Sequence, residues 1–448
     1  MPNDIGYDYI AEQLAGYGYI VVSVSANGVN VLGNQLPDTG MRQRAYLLRR
    51  HLDLWKKWST IGHGPFGDRF VGAVDMQRIG VMGHSRGGEG VIRSVMVDRR
   101  SIDPYGIDAV MPLAPTDFDR TTVNNIPMAV ILPYCDGDVS DLEGMHYFDD
   151  ARYRKPGDPT PKATVTVMGA NHNFFNTVWT PKYGYPGSYD DGLEGCPNRI
   201  SSKEQRTAGR TFVVDFFRRY IGREQQLDGI WTGAQTPGQI APVQANVTYM
   251  APDVPDQRKD LDRFTSASSM VQNDLGGRVY LNDKLVVGKW CPETTASPCV
   301  PGKYQGDDVH LPGLPQAVLG WANGLGSIRF DIPAGQGDVH AFDVLQFRVA
   351  VNPGYRANDD VAVQDLSVEL RDGSHIVQVP ASSVPDAALV YPPGLPAGHV
   401  ILNQIRFPLS SFTGVDLTHV TEVRIVFNRT AGGTVDISVL AFTRGAGS

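Results

Sequence analysis

The sequence predicts two domains of different class: an α/β domain with a mostly parallel sheet and helices on both faces, followed by an all-β sandwich. Three observations carry this reading. Up to about residue 221, short apolar runs alternate with amphipathic helical stretches; beyond about residue 246, helical spacing nearly vanishes; and 448 residues exceed what one ordinary core holds. The boundaries fall at 1–221 for the α/β domain, 222–245 for a linker rich in Gly, Gln and Pro, and 246–448 for the sandwich.

In the first domain, β-branched and apolar runs predict strands at 19–25, 78–83, 109–113, 129–134 and 163–168. Between the first two, Ala45, Leu48, Leu52 and Trp55 recur at helical spacing, with Arg49, Arg50, Lys56 and Lys57 on the other face. A last helix starts at Ser201, where Ser201 and Glu204 have capping-box spacing, and lines up Ala208, Phe212, Phe216 and Tyr220. In the second domain, alternating runs at 342–351, 366–370, 376–379, 400–407, 420–428 and 434–442 are separated by turn-forming residues.

Composition narrows the function classes. Charged residues make up 20% and the net charge is -8 without a basic patch, which argues against a nucleic-acid partner. No run approaches the roughly 18 to 20 apolar residues of a membrane span. The absence of Cys-x-x-Cys or His-x-x-x-His spacing predicts no metal site, and no cofactor is expected. Of four cysteines, Cys291 and Cys299 bracket a Pro-containing loop as a short disulfide would, and Cys135 and Cys196 form a second candidate pair; unpaired thiols are the alternative. A secreted or extracellular protein is therefore expected, although Met1 to Ile5 carry no signal-peptide pattern.

The chemistry concentrates at Gly83-His84-Ser85-Arg86-Gly87. This stretch follows a predicted strand and opens a predicted helix, the strand-turn-helix setting that forces a serine into a strained, exposed turn. Ser85 is thus the expected nucleophile, with Gly83 and Gly87 small because strand and helix close on each other. The helix start lends Ser85 a positive dipole end and presents the backbone N–H of Arg86 to an oxyanion.

At these residues, and at Leu14-Ala15-Gly16-Tyr17-Gly18-Tyr19, the chain resembles the α/β-hydrolase family, in its chlorophyllase-like, dienelactone-hydrolase-like and polyester-hydrolase-like branch. The resemblance covers residues 5–221 and implies the order serine, acid, histidine. It matches the acid to Asp138, with Asp136 as the alternative, and the base to His172, just past the strand at 163–168. Tyr134, Phe174 and Phe175, with Trp179, would wall an apolar substrate pocket, ordinary core packing being the alternative. The last hundred residues or so resemble galactose-binding-like jelly-roll modules.

These readings imply a serine hydrolase that cleaves small or polymeric carboxylic esters through an acyl-enzyme on Ser85. The family's first strands and the loop with its second oxyanion donor would precede Met1. A shortened chain is the expectation, with substitution by the amides of residues 2–6 or an impaired site as alternatives; one lost donor costs about 2.7 to 4 kcal/mol. A second function class is a hydrolase-like scaffold that binds glycan through its sandwich.

Overall fold

A computed structural model describes residues 3–36, 38–180, 199–292, 314–352, 364–384 and 401–445. The chain divides into two compact units, the first comprising residues 1–155, 160–231 and 236–245, and the second the remainder.

Four strands of the first unit lie side by side: β1 (Ile79–His84), β2 (Ile107–Leu113), β3 (Met128–Pro133) and β4 (Lys162–Val167). All three pairings are parallel, with His84 opposite Leu113 and Pro133 opposite Val167. β3 and β4 are buried along their whole length, which explains their continuous runs of Ala, Val, Ile and Thr: a strand covered on both faces has no reason to alternate.

Among the described residues, the helices α1 (Asp8–Gly16), α2 (Asn27–Leu32), α3 (Met41–Thr60), α4 (Arg86–Arg99), α5 (Met145–Arg154) and α6 (Ser202–Tyr220) accompany the sheet. Asp38 starts α3 by accepting the N–H groups of Gly40 and Arg42. Ala45 and Trp55 of its apolar stripe are buried, and Arg49 ties it to Asp98 of α4 at 2.6 Å. In turn α4 packs on β1 and β2. Gly80 of β1 lies against Phe217 and Ile221 near the end of α6, where an added Cβ would come within 2.4 Å of the Phe217 ring.

Two expectations are corrected here. Segment 19–25 has the composition of a strand yet forms none, and Ile20, Val21 and Val22 are 41%, 39% and 40% exposed. A strand exists only where a neighbouring backbone takes up its N–H and C=O groups, and among the described residues none runs beside this one. It is anchored instead by local and side-chain hydrogen bonds: Tyr19 N–H to Leu14 O, Tyr19 Oη to Phe217 O, and Ser23 Oγ to Asp4 O. The supposed linker is also structured. A short helix α7 (Asp228–Trp231) sets the Trp231 ring against Phe212 and Phe216 of α6, and Ile240 is buried. These apolar anchors outweigh the Gly and Pro content, so most of 222–245 belongs to the first unit.

The chain enters the second unit along β5 (Ala245–Met250) and builds an antiparallel β-sandwich. One sheet has the order β13 (Ile376–Pro380), β12 (Ser367–Arg371), β15 (Glu422–Phe427), β10 (Gly326–Asp331), β7 (Val279–Leu281). The other runs β14 (Asn403–Pro408), β11 (Val344–Val351), β16 (Gly432–Thr443), β9 (Gln316–Ala322), β8 (Leu285–Cys291), with β6 (Arg258–Asp262) on β16. The chain crosses repeatedly from sheet to sheet, a jelly-roll-like path. Between the sheets a single core joins Ile328, Phe330, Val423 and Ile425 to Phe347, Phe407, Ile437 and Phe442. Trp321 of β9 stacks on Phe427 of β15, ring centroids 4.4 Å apart. Alternation is clearest in β10, where Ile328 and Phe330 point inward and Ser327, Arg329 and Asp331 outward. Among the described residues, no helix is long and apolar enough to cross a membrane.

Candidate active site

Ser85 occupies the single residue between the end of β1 and the start of α4, with φ 58° and ψ -129°. A serine held there stores on the order of 1–3 kcal/mol of strain, and the surrounding backbone imposes it. The Ser85 N–H donates to Leu113 O at 3.0 Å, while its own carbonyl accepts from Gly88 at 2.8 Å. A Cβ on Gly83 would stand 2.0 Å from Gly87 O, and one on Gly88 would stand 2.6 Å from Pro115 Cβ. The pairing of small residues thus differs from that expected: a Cβ on Gly87 itself meets nothing. Gly83 and Gly88 are the positions that the closure forbids to larger residues. At the start of α4 the N–H of Arg86 is among those a helix leaves without an internal partner, while its guanidinium lies by Gly33.

The acid and the base sit in neighbouring loops after β3 and β4. Asp136 accepts the N–H groups of Asp138 and Val139 through Oδ1, at 3.0 and 2.7 Å, and its Oδ2 lies 2.9 Å from His172 Nδ1. Both side chains are buried. The expected acid, Asp138, is placed otherwise: its side chain is 68% exposed and its Oδ2 lies 3.5 Å from His172 Nε2. The reason is the turn. Asp136 folds the backbone over its own carboxylate, which directs one oxygen inward and sends Asp138 toward solvent. With the Nδ1 proton facing a carboxylate, His172 presents Nε2 as the basic nitrogen.

The loop bearing His172 is held from two sides. Cys135 N–H donates to Ala170 O at 2.8 Å, and Gln205 of α6 makes a double bond pattern with the backbone of Asn171, accepting its N–H at 3.0 Å and donating to its carbonyl at 2.7 Å. The capping box of Ser201 and Glu204 fixes the helix start that positions Gln205. Cys135 and Cys291 are each disulfide-bonded; Cys196 and Cys299, their respective candidate partners in the sequence, lie outside the described residues.

His84, next to the nucleophile, brings the elbow to the base: its ring centroid is 4.6 Å from that of His172 and 4.8 Å from that of Trp179. Trp179 also lies parallel to His172 at 6.4 Å. Of the expected pocket residues, Tyr134 is buried, Phe174 is half-buried beneath Arg199, and Phe175 is wholly buried against Gly209 of α6. Phe175 is therefore core.

The sequence reading missed the N-terminal turn at Asn3–Tyr7. Trp179 Nε1 donates to Asn3 Oδ1 at 2.9 Å, Thr177 Oγ1 to Gly6 O at 3.3 Å, and a Cβ on Gly6 would collide with the Asn176 amide. Tyr7 Oη lies 2.5 Å from His84 Nδ1. Burial pushes the Tyr7 phenol well up, and burial together with His172 holds His84 well below the usual histidine range. Behind the elbow, Glu89 accepts from Thr116 Oγ1 and Phe118 N–H, and Glu143 from Asp117 N–H. Burial pushes Asp117 and Glu143 up to about 7. No periodicity marks any of these residues; only the tertiary fold assembles them.

No protein-family model matches the chain, and no curated protein matches it. Among solved structures, a family 11 carbohydrate-binding module from Clostridium thermocellum, in complex with a beta-1,3-1,4-mixed-linked tetrasaccharide, matches at 10% identity, covering 42% of this chain and 96% of that one, with a TM-score of 0.25. A family 30 carbohydrate-binding module from the same organism matches at 15% identity over 42% and 98%, with a TM-score of 0.25. A beta-1,2-glucanase from Parabacteroides distasonis matches at 12% identity over 42% and 26%, with a TM-score of 0.24. Likeness at this level carries no functional argument.

Proposed function

We propose that the first unit is a serine hydrolase of the α/β-hydrolase type that cleaves carboxylic esters. One observation carries the reading: Ser85 stands in a strained strand-to-helix turn whose preceding residue packs its ring on His172, itself held through Nδ1 by Asp136.

Ser85 Oγ attacks the ester carbonyl as His172 Nε2 takes its proton, and the Arg86 N–H faces the developing oxyanion. Asp136 orients the imidazole and stabilises its charged form. Collapse of the tetrahedral species breaks the bond to the alcohol oxygen, which leaves with the proton from His172. Water, deprotonated by His172, then attacks the acyl-serine and releases the acid. Small or polymeric esters fit this chemistry. The disulfide-bonded Cys135 and Cys291 support assigning the protein to an oxidising, extracellular compartment.

A fluorophosphonate probe is expected to label Ser85 stoichiometrically, with labelling lost in Ser85→Ala and His172→Ala. Folded wild-type protein that resists the probe and leaves short p-nitrophenyl esters intact overturns the reading.

A second reading concerns the sandwich. Tyr280 of β7 is 39% exposed, with the Arg329 guanidinium over one face of its ring at 3.9 Å and itself paired with Asp331; an exposed aromatic ring bordered by charged groups is of the kind that meets a sugar ring. We infer glycan binding there. Titration calorimetry with a mixed-linked β-glucan tetrasaccharide is expected to give heat that Tyr280→Ala removes; equal heat in the variant excludes this face.

A further inference from the structure

We propose that Tyr7 and His84 form a positioning pair: the Tyr7 hydroxyl locks His84 in one neutral tautomer, and the His84 ring in turn fixes that of His172. The inference rests on the hydrolase reading for its functional meaning, but its structural content stands separately.

The direction of the bond follows from its neighbours. Burial holds the Tyr7 phenol in its protonated form, so it has an O–H to donate. The Tyr7 proton is then free to point at His84 Nδ1, 2.5 Å away. A neutral imidazole that accepts at Nδ1 carries its proton on Nε2. Around that ring stand Tyr7 from the N-terminal turn, His172 and Trp179 from the stretch after β4 and, beyond His172, Asp136 and Asp138 from the loop after β3.

His172 is thus fixed through Asp136 at one edge and His84 across one face. Should His84 take a proton, two cationic imidazoles would lie 4.6 Å apart, and the proton on His172 would be the less favoured. Donation from Tyr7 to Nδ1 opposes this by occupying the lone pair that the proton would need. The pair therefore reserves the protonation step for His172. It also makes the turn at Asn3–Tyr7 part of the site, since Asn3, Gly6 and Tyr7 all meet the 176–179 stretch or His84.

The test is 15N-histidine NMR on the full chain, with fluorophosphonate labelling rate as a second arm. In the wild type, His84 is expected as the Nε2–H tautomer that does not titrate. In Tyr7→Phe, which keeps the ring, His84 should become a tautomer mixture and the His172 midpoint should fall by about half a pH unit or more. His84→Asn, which has no ring to protonate, is expected to restore the His172 midpoint in the Tyr7→Phe background. An unchanged His172 midpoint in a folded Tyr7→Phe overturns the pair whatever the labelling shows. Altered midpoints with no labelling of the wild type sustain the pair and sink the hydrolase reading. With both arms positive, labelling should slow about tenfold in Tyr7→Phe.

Discussion

Two aspartates two residues apart bracket one imidazole, and their surroundings separate their roles. Asp136 is buried, receives two backbone N–H groups and meets Nδ1, whereas Asp138 lies mostly in water near Nε2. Loss of charge at the buried position removes the tautomer control of His172. We expect Asp136→Asn to lower kcat by roughly 1,000-fold or more, and Asp138→Asn by less than about threefold, for any ester that the wild type turns over. A larger loss in Asp138→Asn than in Asp136→Asn would return the acid role to Asp138. The sequence narrowed the choice to these two residues and favoured Asp138 over Asp136; spacing after β3 does not tell which carboxylate the turn folds inward. Ser85 and His172 were readable, since each lies at a strand end beside turn-forming residues; Tyr7 was not, since no local pattern reports a partner 77 residues away.

At the scale of elements, the four parallel strands and the sandwich strands from β11 onward were legible in the sequence, whereas the strands from β5 to β10, whose short runs are broken by Gly, Asp and Lys, were not singled out. Segment 19–25 shows what the pattern omits: hydrophobic alternation records a preference, while pairing depends on backbone elsewhere. The loop carrying His172 makes the complementary point, for its conformation is written in α6. Gln205 is wholly buried and satisfies both backbone groups of Asn171. Gln205→Ala leaves an N–H and a carbonyl without these partners, at a cost of about 2–4 kcal/mol. The melting temperature should fall, and kcat toward any ester that the wild type turns over should fall with it. A variant with wild-type stability would mean that the loop holds itself.

Across the whole molecule, both units bury carboxyl groups. Asp117 and Glu143 in the first, and Asp262 and Asp436 in the second, are pushed up to about 7, in each case chiefly by desolvation. Groups whose folded value lies above the unfolded one bind protons more tightly in the native state. Their contribution is complete below about pH 4 and is lost as pH rises through 7. Thermal scans should accordingly show a melting temperature that declines between pH 5 and pH 8, with Asp117→Asn flattening part of the slope. A rising curve would show that other groups dominate. The proposed ester cleavage needs its base unprotonated, so activity and endurance would favour different pH. The exposed run Ile20-Val21-Val22 adds a colloidal consequence. An exposed apolar strip whose backbone pairs with no strand among the described residues is a template for intermolecular β-pairing. Concentrated stocks should form thioflavin-positive aggregates seeded at this strip, and Val21→Lys, a gatekeeper charge, should lengthen the lag without altering the circular-dichroism spectrum.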